Sequence, residues 1–303
     1  MSSLVSIEQL DRVTIERLLR RAQSFLDHQR EGKEEVKVNG TAVNLFFEPS
    51  TRTSLSFQLA AHKLGLKVLD FAVGNSSVTK GESLVDSLQT IDALGVDVAV
   101  IRHPDNWPGL LKGEVLNLSL VNAGSGIHEH PTQALLDALT IRQHHGGFSE
   151  LKVAIIGDIY HSRVARSNAL LLERLGAEVA FSGPEAFRKD DVARYPWIDF
   201  EQAIAESDVV IMLRIQHERH EHLFDTADYN KLFGLNHFRL QQMKKNAIIL
   251  HPGPVNRDVE LTDEVLRDPR CKVLQQANNG VAVRMAVLEW CLQGGNNEQL
   301  VSA

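Results

Sequence analysis

Val96-Asp97-Val98-Ala99-Val100-Ile101-Arg102-His103 is the stretch that decides the fold. Its apolar run from Val96 to Ile101 is nearly continuous, which suits a strand buried on both faces of a parallel sheet. The neighbouring segments agree. Upstream, Ser83 to Leu94 has helical spacing and stops at Gly95, and Arg52 to Leu64 reads as a helix stopped by Gly65. Val43, Leu45 and Phe47 alternate as a strand, Lys67 to Phe71 reads as another, and the polar stretch from Ala72 to Gly81 is a loop. Near the start, Ile15, Leu18, Leu19, Ala22, Phe25 and Leu26 mark a helix with one buried face, and Thr14 is its expected N-cap. Downstream, Leu118 to Val121 is a strand. Pro131 to His144 is a helix with Pro in its first turn, stopped at Gly146-Gly147.

After the double glycine the alternation restarts. Strands are expected at Val153 to Ile156, Glu178 to Phe181, Val209 to Leu213 and Ala247 to Leu250. Helices are expected at Arg163 to Leu175, Phe200 to Glu206, Tyr229 to Met243 and Val281 to Leu292. The pattern predicts an α/β fold of two tandem domains, each a parallel sheet flanked by helices. It also predicts a cleft between the domains, with ligands beyond the carboxyl ends of the strands.

A chain of 303 residues suits two domains of about 150. Its 43% apolar and 23% charged residues exclude disorder, collagen and coiled coil. No apolar run approaches the ~18 residues of a membrane span, and the opening MSSLVSIEQL lacks the basic-then-apolar order of a signal peptide. A net charge of −7 without a basic block argues against nucleic acid as a partner. Cys271 and Cys291 cannot form a disulfide framework, so the expected compartment is the cytoplasm.

Seven segments carry the candidate chemistry. Phe47-Glu48-Pro49-Ser50-Thr51-Arg52-Thr53 joins a strand to a helix. A helix start offers free N–H groups to a phosphate, and three hydroxyls and a guanidinium add donors; ordinary helix capping stands beside that reading. In the polar loop, Lys80 of Ser76-Ser77-Val78-Thr79-Lys80-Gly81-Glu82 suits an anion, though read alone the segment fits a mobile surface loop better. Ser77 and Lys80 also fit the S-x-x-K pattern of acylated-serine enzymes, but its companion motifs are missing. Arg102 follows a buried strand, where ligands bind. His130, in His128-Glu129-His130-Pro131-Thr132-Gln133, suits donation to a carbonyl oxygen or work as a base, beside the plainer readings of a helix-capping histidine or a metal ligand for which no partner is spaced.

In the second half, Gly157-Asp158-Ile159-Tyr160-His161-Ser162-Arg163 lacks the glycines of a dinucleotide site, but Arg163 suits an anion at a helix start. Arg214 and Gln216, two apart at a strand end, can point the same way and together suit a carboxylate. His217, His220 and His222 follow in HERHEH, where a solvated charged segment outweighs zinc. His251-Pro252-Gly253-Pro254 is a rigid turn whose carbonyls can receive the N–H groups of an amide. Arg52, Arg102, Arg163 and Arg214 all fall at strand ends or helix starts, so an acidic chain still gathers positive charge locally. The residues alone thus describe a two-domain α/β protein that binds a phosphate and carboxylates.

Phe47-Glu48-Pro49-Ser50-Thr51-Arg52-Thr53 and His130-Pro131-Thr132-Gln133 resemble the two signature segments of the carbamoyltransferases, and the order of the other segments matches over nearly the whole chain. Lys80-Gly81-Glu82 and Arg214-Ile215-Gln216 resemble the aspartate-using branch; the Ser-Met-Gly and His-Cys-Leu-Pro segments typical of the ornithine branch are missing. Gly253 stands where many aspartate-using members have leucine. The resemblance implies a carbamoyl-phosphate-binding domain over 1–134, a linking helix over 135–147, an aspartate-binding domain over 148–280, and a final helix, 281–303, returning to the first domain. It implies transfer of the carbamoyl group of carbamoyl phosphate to the amino group of L-aspartate, an early step of pyrimidine biosynthesis. Ornithine or an acetylated amino acid stays open as another acceptor.

By the same resemblance, Ser50, Thr51, Arg52 and Thr53 would hold the phosphate, and Arg102 would bridge phosphate and carbonyl oxygen. Thr53 and His130 would also donate to that oxygen. Gln133 and the backbone near Gly253 and Pro254 would hold the carbamoyl NH2. Arg163, Arg214 and Gln216 would bind the aspartate carboxylates. Ser76 and Lys80 would come from a neighbouring subunit, which makes the expected assembly a homotrimer with shared sites. No metal or organic cofactor is implied. Association with a regulatory chain or a dihydroorotase stays open.

Overall fold

The computed structural model describes residues 2–33, 36–69, 71, 81–188, 192–215 and 226–294. They fall in two compact units, Met1–Leu139 with Asn278–Ala303, and Thr140–Ala277. The first unit opens with α1 (Arg12–Glu31), which buries Ile15, Leu18, Leu19, Ala22, Phe25 and Leu26. Its N-cap is Asp11, not the expected Thr14: the Asp11 carboxylate accepts from the Thr14 N–H at 2.7 Å. The apolar residue of its opening, Val13, is exposed, so apolar spacing placed the start too late. There follow β1 (Thr41–Phe46), α2 (Thr51–Lys63), β2 (Lys67–Leu69), α3 (Leu84–Ala93), β3 (Val98–His103), α4 (Trp107–Leu110), β4 (Ser119–Ser125) and α5 (Pro131–His145). The sheet order is β2-β1-β3-β4, with every pair parallel. Val98 to Ile101 are buried throughout, as their composition requires. β2 lies at the sheet edge, and the expected strand beyond Leu69 runs into Asp70, outside the described residues.

The second unit repeats the plan. It contains β5 (Lys152–Ile156), α6 (Arg163–Leu175), β6 (Glu178–Ser182), α7 (Phe200–Glu206), β7 (Val209–Met212), α8 (Thr226–Phe233), α9 (His237–Gln242), β8 (Ile248–Leu250) and α10 (Asp263–Arg267). Its order, β6-β5-β7-β8, is again all parallel. In both sheets the strand order reverses beside the first strand. The reversal falls between β1 and β3 in one unit and between β5 and β7 in the other. Such a switch point opens a crevice at the carboxyl ends of the two strands, because their following connections leave in opposite directions.

The single helix expected over Tyr229 to Met243 is two helices. Between them Leu235 makes strand-like bonds, donating to the Glu260 carbonyl (2.8 Å) while its own carbonyl accepts from the Thr262 N–H (3.2 Å). Asn236 then caps α9 by accepting from Arg239 N–H. The last helix, α11 (Val273–Leu292), starts eight residues before the expected Val281. Asn278, Asn279 and Gly280 lie inside this helix. Both α5 and α11 begin in one unit and end in the other. Within the first unit α11 is tied to α1 by a buried two-bond ion pair: Arg21 Nε and Nη2 each lie 2.7 Å from a Glu289 carboxylate oxygen.

One glycine is fixed by a close backbone approach. Gly183, just past β6, has φ 144°, and a Cβ there would lie 2.7 Å from the Gly157 carbonyl oxygen. Gly183→Ala should therefore lower stability by at least the ~1–3 kcal/mol of an unfavourable backbone conformation, read as an earlier urea midpoint; an unchanged midpoint would show that the two strand ends can separate freely.

Candidate active site

In the first unit the switch point lies between the loops that follow β1 and β3. The loop after β1 ends in α2, whose N-cap is Ser50. Ser50 makes no side-chain capping hydrogen bond, so its hydroxyl is not engaged in the role that competed with ligand binding. Thr51 and Arg52 are exposed in the first turn, and Thr53 is buried. From the adjacent strand, Arg102 reaches back across the switch: its Nε lies 2.7 Å from Glu48 Oε1, both side chains mostly shielded. Phe47 N–H donates to the Arg102 carbonyl at 2.8 Å, which continues the ladder one step past β1. The Phe47 ring sits 4.9 Å from the His103 ring. Burial pulls the His103 imidazole below its usual range, against the upward pull of Asp105 and Glu48.

The loop after β4 completes this edge. Ser125 pairs with Glu129, and the Glu129 carboxylate is taken up by Ser6 Oγ (2.5 Å) and Ile7 N–H (2.8 Å). That anchoring fixes the next residue, His130, which is buried. Its carbonyl accepts from the Gln133 N–H at 3.0 Å and opens α5. Gln133 is buried one turn further on and donates from Nε2 to Asp137 Oδ1 at 2.9 Å.

The second unit carries its cations the same way. Ser162 caps α6 by accepting from Ala165 N–H at 3.2 Å, and Arg163, the first helical residue, is buried. Across this switch point Arg214 follows β7 and is half-buried. The next residue, Ile215, is held by a fully buried carboxylate, Glu260. One oxygen accepts from Ile215 N–H (2.8 Å) and Asn256 Nδ2 (2.7 Å), the other from Asn256 N–H (2.8 Å). Glu260 thereby joins the end of β7 to the turn after β8. In that turn His251 Nδ1 accepts from Gly253 N–H at 2.8 Å, so its proton resides on Nε2, 3.7 Å from Glu260. Burial, with Glu260 and then Asp158 nearby, pushes the Tyr229 phenol well above its usual range.

Ser76, Lys80 and Gln216, and the histidines of HERHEH, lie outside the described residues. Sequence reasoning assigned no role to Glu48, Asp137 or Glu260, all of which support these edges. Only Asp137 carried a local signal, four residues after Gln133 on one helix face.

Fold and edges together define a class: paired parallel-sheet α/β units, each with arginines on both sides of its switch point. The first part matches the family model for the aspartate/ornithine carbamoyltransferase carbamoyl-P binding domain (residues 2–143), and the second that for the Asp/Orn binding domain (residues 149–291). The chain belongs to the aspartate/ornithine carbamoyltransferase family. It is 46% identical over 299 residues to the aspartate carbamoyltransferase catalytic subunit of Streptococcus sanguinis (strain SK36), covering 97% of each chain. It is 45% identical to that of Ligilactobacillus salivarius (strain UCC118), over 97% of this chain and 96% of the other. Among solved structures it resembles aspartate transcarbamoylase from Trypanosoma cruzi in complex with carbamoyl phosphate and aspartate. That match has a TM-score of 0.83, 32% identity and 95% coverage of each chain.

Proposed function

We propose that this chain transfers the carbamoyl group of carbamoyl phosphate to the amino group of L-aspartate, giving N-carbamoyl-L-aspartate and phosphate. The observation that carries this reading is the near-full-length similarity to aspartate carbamoyltransferase catalytic subunits. The cationic strand ends in both units support it, because both substrates are anions.

In this reading Ser50, Thr51, Arg52 and Thr53 hold the phosphate at the start of α2, where unpaired N–H groups and the helix dipole favour negative charge. Gln133 and the turn at Gly253 and Pro254 hold the carbamoyl nitrogen. Arg163, Arg214 and Gln216 take the aspartate carboxylates. The amine attacks the carbamoyl carbon, and negative charge grows on the carbonyl oxygen. Thr53, Arg102 and His130 donate to that oxygen, the kind of preorganised stabilisation that contributes most to many enzymes. The C–N bond forms as the bond to the phosphate oxygen breaks, and the leaving phosphate takes the amine proton. Fixing two mutually repelling anions in reacting geometry supplies the remainder. We place the reaction in the cytoplasm, in a homotrimer whose sites borrow Ser76 and Lys80 from a neighbouring subunit.

The test is product formation from carbamoyl phosphate with L-aspartate or L-ornithine on one preparation. Product with aspartate alone is expected; product with ornithine alone would overturn the acceptor assignment, and product with neither would overturn the reaction. Shared sites have their own test. Inactive Arg52→Ala and Lys80→Ala trimers should regain activity after subunit exchange, and silence despite demonstrated exchange would exclude them.

A further inference from the structure

We propose that Asp137 is the positioning residue that makes the first-unit site select a carbamoyl group, by forcing the Gln133 side chain to present its carbonyl oxygen. The inference rests on the reading that Gln133 meets the carbamoyl nitrogen. A glutamine amide has a donating and an accepting end of nearly the same shape. Turned one way it accepts from an NH2; turned the other it faces that NH2 with a donor. Left to itself, the side chain has no reason to prefer the useful orientation.

Asp137 supplies the reason. It lies one helical turn after Gln133, is fully buried, and sits 2.9 Å from Gln133 Nε2. An ionised carboxylate only accepts hydrogen bonds, so it tolerates the NH2 end of Gln133 and repels the carbonyl end. The oxygen Oε1 is thereby turned away from Asp137, and among the described residues it has no hydrogen-bond partner. A bound carbamoyl NH2 would find an acceptor there.

The negative charge on Asp137 is itself balanced. Arg284 of α11 is buried, stacked with its guanidinium 5.0 Å from the centre of the Phe57 ring, and attracted by Asp137. Burial pulls this arginine down to about 10, which leaves it cationic at neutral pH. Gly280, one turn earlier on α11, makes room for it: a Cβ there would lie 2.6 Å from Arg284 Nη1. The order Arg284, Asp137, Gln133 thus runs from a buried cation to an acceptor aimed at ligand.

Acetyl phosphate is the probe. It matches carbamoyl phosphate in shape but carries a methyl group in place of the NH2, so it cannot donate to Oε1. The wild-type protein should bind carbamoyl phosphate more tightly than acetyl phosphate. In Asp137→Asn the neighbour can donate as well as accept, Gln133 is free to turn over, and the preference should shrink about three- to tenfold. The affinity for inorganic phosphate, which has no NH2 group, should stay unchanged. Asp137→Glu, which restores an all-acceptor group, should recover part of the preference. Should Asp137→Asn not fold, Asp137→Ser offers the same choice of donor or acceptor in less space. Equal weakening of both acyl phosphates, or an unaltered ratio, would overturn the role of Asp137. Failure of the wild-type protein to bind carbamoyl phosphate would instead overturn the proposed function.

Discussion

Arg52→Ala should lower kcat by about 10²–10³, the usual loss when one preorganised donor to a developing or departing anion is removed. The side chain is exposed in the first turn of α2, so its removal opens no cavity, and the unfolding transition should stay where it is. The loss should appear at saturating concentrations of both substrates, since a leaving phosphate gathers charge after binding. Arg52→Lys should recover little, because an ammonium cannot reproduce the planar two-bond contact of a guanidinium with phosphate oxygens. Steady-state kinetics beside thermal unfolding separates these effects, and near-normal turnover in Arg52→Ala would remove this residue from the site.

Glu289→Ala should be the most destabilising of the substitutions considered. Arg21 is 7% exposed and Glu289 1% exposed, so losing the carboxylate strands a guanidinium away from water. Breaking a buried ion pair from one side costs about 3–5 kcal/mol, while replacing both partners with apolar residues of similar size is often neutral. Arg21→Met combined with Glu289→Leu should therefore recover most of the stability lost in Glu289→Ala. Urea unfolding of the two variants decides it: equal losses would mean that packing of the stems, including Arg21 against Phe25, matters more than the charges.

Both predictions rest on features of very different legibility in the sequence. The Arg52 segment was readable because a strand, a Pro, a run of hydroxyls and a helix follow one another without interruption. The buried run Val98 to Ile101 was readable because burial on both faces leaves no polar alternation. The switch points were hidden, since strand order depends on which strands pair, not on any local pattern. The Arg21–Glu289 pair joins residues 268 positions apart, and each looks like an ordinary surface charge on an amphipathic helix. Glu260 was hidden in part for the same reason: two of its donors come from Asn256, four residues before it, but the third is the Ile215 N–H, 45 positions away, which nothing near Glu260 announces. The break at Gly234-Leu235-Asn236 carries a local signal, a Gly stop and an Asn cap, but what holds the two helices apart is strand-like pairing of Leu235 with residues past β8.

The interrupted first unit has a consequence for synthesis. Its sheet and α1 are made first, yet the partner of Arg21 and the cation facing Asp137 arrive only with α11, after all of the second unit has been made. The second unit is one continuous stretch, Thr140–Ala277. On a translating ribosome, therefore, the later-made unit can close its core before the earlier-made one, reversing the usual N-terminal-first order. Until α11 emerges, the nascent first unit carries Arg21 without its counter-charge, and a chaperone that shields exposed cores would find its client there.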